Sequence, residues 1–301
     1  MSATIIDGRA IARRIRTEVA EGAAALAGAT GTVPGLAAVL VGDDPASATY
    51  VRMKEKACDE AGFRSRVERL PGDTPHDELL GLVAELNADA DVHGILVQLP
   101  LPPQIDEAAI VRAVDPGKDV DGFHPLNVGR VALGETENAF VPATPAGIVR
   151  LLEEAGIELA GAEAVVVGRS AIVGKPVSLL LLQRHATVTV CHSATRDLAS
   201  HTRRADVLVV AVGRAGLVEK EMVKPGAAVI DVGTNRVPDP AGGRGRLVGD
   251  VDFDGVAEVA GWITPVPGGV GPMTIAMLLA NTLEAARRAA GVAAPVSGAG
   301  P

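Results

Sequence analysis

The sequence predicts an α/β protein built from two successive strand–helix series. Short apolar runs rich in Val, Ile and Leu alternate with amphipathic stretches, as expected for parallel strands joined by helical crossovers. The alternation occurs twice, on either side of a Pro- and Gly-containing stretch at 116–129. At 301 residues the chain is long enough for one large domain or two ordinary ones, with a sizeable core.

Residues 9–27 read as an amphipathic helix and GLAAVLVG (35–42) as a buried strand. A helix over 46–61 stops at Gly62, and a strand near 63–69 and a helix near 76–88 follow. GILVQLP (94–100) closes the first series as a strand, and PGKDVDGFHPLNVG (116–129) is loop-rich. PATPAGIVRLLEEAG (142–156) starts a helix, with Thr144 as its cap and Pro145 at the first helical position. In the second series AVVVG (164–168), TVTVC (187–191), VLVVA (207–211), AVIDV (228–232) and WITPV (262–266) read as strands. Residues 273–290 form a final helix, and GVAAPVSGAGP (291–301) is a disordered tail.

The formal net charge is −9 and aromatic residues make up 2%. That balance argues against a nucleic-acid binder, which would show a basic surface or aromatic stacking platforms. Two cysteines, Cys58 and Cys191, make no disulfide framework and fit a reducing compartment. No apolar run reaches the 18 or so residues of a membrane span. The N-terminal RAIARRIR (9–16) is unlike the apolar core of a signal peptide, so a cytoplasmic location is expected.

Two stretches carry unusual chemistry. On the helix over 46–61, at about 100° per residue, Ser47, Tyr50, Lys54, Ala57, Cys58 and Ala61 share one face. Arg52, Glu55, Lys56 and Asp59 share the other. A lysine on an apolar stripe ordinarily snorkels to solvent, so Lys54 stands out.

The second stretch, GRSAIVGKP (168–176), follows an apolar strand and opens a helix, where a tight turn and a helix N-terminus can receive a phosphate. The spacing departs from GxGxxG. Gly168 stands first, Ser170 replaces the second glycine, and Gly174 comes one residue late. An ordinary strand–turn–helix would read the same way. The end of the next strand, CHSATR (191–196), has no carboxylate to accept from a ribose hydroxyl, and Arg169 is a candidate donor to a 2′-phosphate. These residues favour NADP over NAD.

YVRMKEK (50–56), VQLPLP (97–102), KDVDGFHP (118–125), GRSAIVGKP (168–176) and PVPGGVGPMT (265–274) occur in this order. Together they make the chain resemble the FolD family of bifunctional methylenetetrahydrofolate dehydrogenase/methenyltetrahydrofolate cyclohydrolases, over essentially residues 2–290. The resemblance implies oxidation of 5,10-methylenetetrahydrofolate with NADP, then hydrolysis of the methenyl product to 10-formyltetrahydrofolate. It implies two α/β domains flanking a cleft: a folate-binding domain of residues 1–140 plus 273–301 and a Rossmann-like NADP-binding domain of residues 141–272. A cytoplasmic homodimer with tetrahydrofolate substrates follows, with no nucleic-acid, membrane or metal partner.

By matching motifs, Lys54, Tyr50, Gln98 and Asp121 fall on the catalytic folate site. Gly168, Arg169, Ser170, Gly174, His192, Ser193 and Thr234 fall on the cofactor side, and Pro267, Gly268 and Gly269 on the substrate side. A desolvated Lys54 would exchange a proton with attacking water and the departing ring nitrogen. Gln98 would orient Lys54, Tyr50 would pack along the pterin, and Asp121 would accept from its amino-bearing edge. Taken singly, Gln98 also suits a strand end, Asp121 a turn, Tyr50 the core, and 265–274 a plain loop. His124 and His192 read as structural or cofactor-lining. Ala143 and Thr234 depart from the family pattern, where cysteine and isoleucine are common. A dehydrogenase lacking the cyclohydrolase step and a non-catalytic nucleotide sensor are the rivals.

Overall fold

The computed structural model describes residues 2–238 and 245–292. In chain order its first elements are β1 (Thr4–Ile5), α1 (Gly8–Thr30), β2 (Gly35–Val41), α2 (Pro45–Glu60), β3 (Arg64–Leu70) and α3 (His76–Ala88). They are followed by β4 (Gly94–Val97), α4 (Glu107–Ala113), α5 (Pro125–Leu133), α6 (Ala143–Glu154), β5 (Glu163–Val167), α7 (Gly174–Gln183) and β6 (Thr187–Cys191). The remainder are α8 (Leu198–Thr202), β7 (Val207–Val210), β8 (Ala228–Asp231), β9 (Asn235–Val237), β10 (Arg246–Val248), α9 (Phe253–Ala257), β11 (Trp262–Ile263) and α10 (Val270–Ala289). The chain forms two compact units: one holds residues up to 13, 130–135 and 142–277, the other 14–129, 136–141 and the residues from 278 on.

The second of these units carries a parallel three-stranded sheet in the order β3-β2-β4. Every residue of β2 is buried, which is why GLAAVLV reads as a continuous apolar run rather than an alternation. On one face Ala37, Val39 and Val41 pack with Leu79, Val83 and Leu86 of α3 and Ile110 of α4. Strand β3 lies at the edge, and it carries four charged residues, of which Arg64, Arg66 and Arg69 are exposed.

The other unit holds a six-stranded, wholly parallel sheet in the order β1-β11-β8-β7-β5-β6. Its core joins Val165 and Val167, Leu208 and Val210, Val229 and Ile263. Strand β5 lies between β6 and β7, so the chain winds away from it in both directions. The carboxyl ends of β5 and β7 therefore form a switch point, the place where open α/β sheets receive ligands. Strands β9 and β10 form a separate antiparallel pair.

Some boundaries differ from the sequence reading. Helix α6 begins at Ala143, with Pro142 before it and no side-chain cap, so Thr144 is not the cap. Instead the Thr144 and Thr274 hydroxyls are hydrogen-bonded at 2.8 Å. Pro145 is the third helical residue, still within the first turn where a missing N–H costs nothing. The loop-rich 116–129 stretch ends in α5, which starts at Pro125. Strands expected to reach residues 100 and 266 stop at Val97 and Ile263, and α10 begins at Val270 rather than 273. The predicted tail lies, from residue 293 on, outside the described residues.

Candidate active site and nucleotide turn

The face of α2 that turns inward carries Ser47, Val51, Lys54, Ala57 and Cys58. Asp44 starts the helix, its carboxylate accepting from Ser47 N at 2.7 Å, and Pro45 occupies the first position. Lys54 is only 9% exposed, so it does not snorkel. Tyr50 departs from the expected face. It is 38% exposed, at the margin of the stripe, and Val51 is the fully buried residue there.

Lys54 Nζ donates to Gln98 Oε1 at 3.0 Å. Gln98 lies one residue past β4, where its own N–H still donates to Val39 O at 2.9 Å. Its side-chain amide nitrogen donates to Leu99 O at 2.9 Å, which fixes the amide so that its oxygen faces the ammonium. Burial lowers the pKa of Lys54, and the Asp121 carboxylate opposes that shift. Burial also raises the pKa of Asp121, against the influence of Lys54. Cys58, one turn on, is pushed up to about 12 by burial, so it is an inert thiol at this site.

Asp121 sits on a loop whose neighbours are each tied down. Lys118 Nζ donates to the carbonyls of Leu86, Asn87 and Asp89 at the end of α3. The buried Asp119 carboxylate accepts from Phe123 N at 3.1 Å, His124 N at 2.8 Å and Asn127 Nδ2 at 2.8 Å. Val120 O accepts from Asn281 Nδ2 at 2.8 Å. Tyr50, Lys54, Gln98 and Asp121 thus belong to one unit, and the structure brings Lys54 and Gln98 into direct contact.

In the other unit the turn GRSAIVGKP joins β5 to α7. Gly168 has φ 130°, and a Cβ on it would lie 2.3 Å from Ala211 O at the end of β7. A Cβ on Gly174 would lie 2.3 Å from Gly168 O. Both positions require glycine. Ser170 Oγ accepts from Val173 N at 3.2 Å and Gly174 N at 3.3 Å, so the residue that replaces the second glycine satisfies the N–H groups leading into α7, whose N-cap position is Val173. Arg169, Ser170 and Ser193 are exposed beside this turn and the end of β6.

His192 is half-buried, with its N–H donating to Thr195 Oγ1 at 2.8 Å and its Nδ1 accepting from Ala194 N at 3.2 Å. Thr234 is exposed in the segment between β8 and β9, apart from the glycine turn in sequence and in strand order.

Two buried carboxylates that the sequence reading missed organise those segments. Asp250 accepts from Val212 N, Gly213 N and Asn235 Nδ2 at 2.7–2.9 Å. Asp231 accepts from Gly233, Asp250 and Val251 N–H groups at 2.9–3.0 Å, and burial raises its pKa to about 6. In the 265–274 segment, Gly269 packs within Cβ-clash distance of Thr264 and Pro265 O, and Gly268 against Arg9. Pro267 is exposed. Among the described residues no cluster of three or more His, Cys, Asp or Glu side chains could hold a metal ion, and no helix is long and apolar enough to cross a membrane.

Two family models match the chain. Residues 6–121 match the family described as tetrahydrofolate dehydrogenase/cyclohydrolase, catalytic domain. Residues 142–290 match tetrahydrofolate dehydrogenase/cyclohydrolase, NAD(P)-binding domain. The bifunctional protein FolD of Moorella thermoacetica is 58% identical over 288 residues, 96% of this chain and 100% of the relative. The bifunctional FolD structure from Campylobacter jejuni has TM-score 0.91 and 48% identity, covering 95% of this chain and 99% of that one. The Trypanosoma brucei FolD structure, complexed with NADP cofactor and inhibitor, has TM-score 0.92 and 46% identity, covering 96% and 98%. The chain therefore belongs to the tetrahydrofolate dehydrogenase/cyclohydrolase family.

Proposed function

We propose that Lys54 is the proton-transfer group of a bifunctional enzyme that oxidises 5,10-methylenetetrahydrofolate with NADP and hydrolyses the resulting methenyl compound to 10-formyltetrahydrofolate. The observation that carries this reading is a buried lysine, hydrogen-bonded to Gln98 and coupled to Asp121. Burial moves both ionisable groups toward their neutral forms, so the neutral amine is more accessible than for an ordinary lysine. That amine takes a proton from water attacking the methenyl carbon, and the ammonium returns one to the departing ring nitrogen. Gln98 holds the amine in place, and Asp121 accepts from the pterin's amino-bearing edge. Tyr50, one turn before Lys54 and partly exposed, is free to lie along the pterin. The family resemblance assigns Pro267, Gly268 and Gly269 to substrate binding.

The glycine turn fits a dinucleotide. Its backbone is stripped of Cβ atoms at Gly168 and Gly174, it opens a helix N-terminus, and the strand-end residues 191–196 carry no carboxylate. Bound there, NADP supplies the hydride acceptor. Arg169 and Ser193 would supply donors to the 2′-phosphate, and Ser170, His192 and Thr234 would line the rest of the cofactor site. We assign residues 1–140 plus 273–301 to folate and 141–272 to NADP. A cytoplasmic homodimer is proposed on the family resemblance.

Methenyl formation measured with NADP and with NAD, followed by methenyl hydrolysis on the same preparation, tests the reading. NADP should be preferred, both steps should proceed, and Arg169→Ala should weaken NADP more than NAD. Equal loss for both cofactors would return Arg169 to a general turn residue. NADP binding without turnover would leave a nucleotide sensor.

A further inference from the structure

We propose that Asp119 is a positioning residue for Asp121, acting through the turn that joins them. The proposal rests on the folate-site reading of Asp121 given above. Asp119 is 5% exposed, and both of its acceptor groups wrap the segment that bears Asp121. Its backbone carbonyl accepts from Gly122 N at 3.0 Å, closing a turn with Asp121 at the third position and Gly122 at φ 73°. Its carboxylate accepts from the N–H groups of the next two residues, Phe123 and His124. On the near side, Ile95 N donates to Lys118 O at 2.8 Å, which ties the start of the turn to β4. Asp121 is therefore held between fixed points, and the Asp119 carboxylate supplies those on its far side.

Asn127 completes the clamp. It is 1% exposed, donates to Asp119 Oδ2 at 2.8 Å and Pro116 O at 3.0 Å, and accepts from Phe140 N at 3.3 Å. A carboxylate with these donors around it has little freedom to turn, and a carboxyl amide in its place would oppose an N–H with its own. Loss of the charge should therefore let the Asp119–Gly122 turn relax and move the Asp121 carboxylate. Displacement of a binding group by about 1 Å is enough to cost a large factor in turnover.

The test is a double-mutant cycle read by tetrahydrofolate affinity and by dehydrogenase kcat/KM, with NADP affinity as the folding control. Asp119→Asn and Asp121→Asn should each weaken tetrahydrofolate about tenfold or more and leave NADP affinity unchanged, and the double variant should lose less than about threefold beyond Asp121→Asn alone. Asn127→Ser removes one donor from the Asp119 carboxylate and leaves its backbone donors. It should show a smaller loss that also vanishes in the Asp121→Asn background, and it decides the matter alone where Asp119→Asn does not fold. Losses that add in full, or a normal affinity for Asp119→Asn and Asn127→Ser beside a damaged Asp121→Asn, would overturn the positioning role. An undamaged Asp121→Asn would overturn the folate-site reading itself, and the positioning role with it.

Discussion

At the scale of single residues, burial acts on Lys54 and Asp121 in opposite senses and to the same end. It lowers one pKa and raises the other, while each charge partly restores its partner. The sign of this coupling gives a prediction. Asp121 raises the pKa of Lys54, so Asp121→Asn should lower it further. The limb of the hydrolysis profile that rises as Lys54 loses its proton should then move to lower pH. Where turnover is too slow, the ¹³C shift of Lys54 Cε reports the same titration. A shift to higher pH, or none, would mean that Asp121 does not act on the Lys54 charge. Lys54 was legible in the sequence because one helical period placed an ammonium on an apolar stripe. Tyr50 was read on the inner face, where the structure buries its neighbour Val51, because a period alone does not fix the margin of a stripe. Asp119 and Asn127 were illegible as a clamp, since their bond joins a turn residue to the first turn of α5, eight positions on, across a segment with no period to read.

At the scale of elements, the glycine turn at 168–176 shows why the departure from GxGxxG is tolerated. The two glycines that the backbone requires, Gly168 and Gly174, are present, and the Ser170 hydroxyl accepts from the Val173 and Gly174 N–H groups that lead into the helix. Gly168→Ala would put a Cβ against Ala211 O at a φ that disfavours side chains, a strain of about 1–3 kcal/mol. The turn should open, and NADP affinity should fall by about tenfold or more. Methenyl hydrolysis, which uses no nucleotide, should change far less. Unchanged NADP affinity by calorimetry would show that the cofactor does not use this turn. The strands β2, β5, β7 and β8 were legible because parallel strands buried on both faces become unbroken apolar runs. Helices α4, α8 and α9, with seven, five and five residues, are too short for a period to show. The pair β9–β10 is held largely by its partner strand rather than by an apolar face.

At the scale of the molecule, the proposal divides two activities between groups carried by different units. The candidate acid–base group lies on α2, and the glycine turn precedes α7. No single residue reading was decisive, since a lysine, a glutamine and an Asp-Gly pair each have an ordinary structural use. Their order along the chain and the contact between Lys54 and Gln98 support the proposal. The most direct measurement of the central claim is both reactions on one preparation of Lys54→Met, with NADP binding checked separately. Methionine keeps much of the apolar stem and removes the amine. Hydrolysis of methenyltetrahydrofolate should fall by about 10²-fold or more, NADP affinity should be unchanged, and dehydrogenase activity should fall less than hydrolysis. Hydrolysis near the unmodified rate would contradict the account and leave Lys54 a buried lysine satisfied by Gln98.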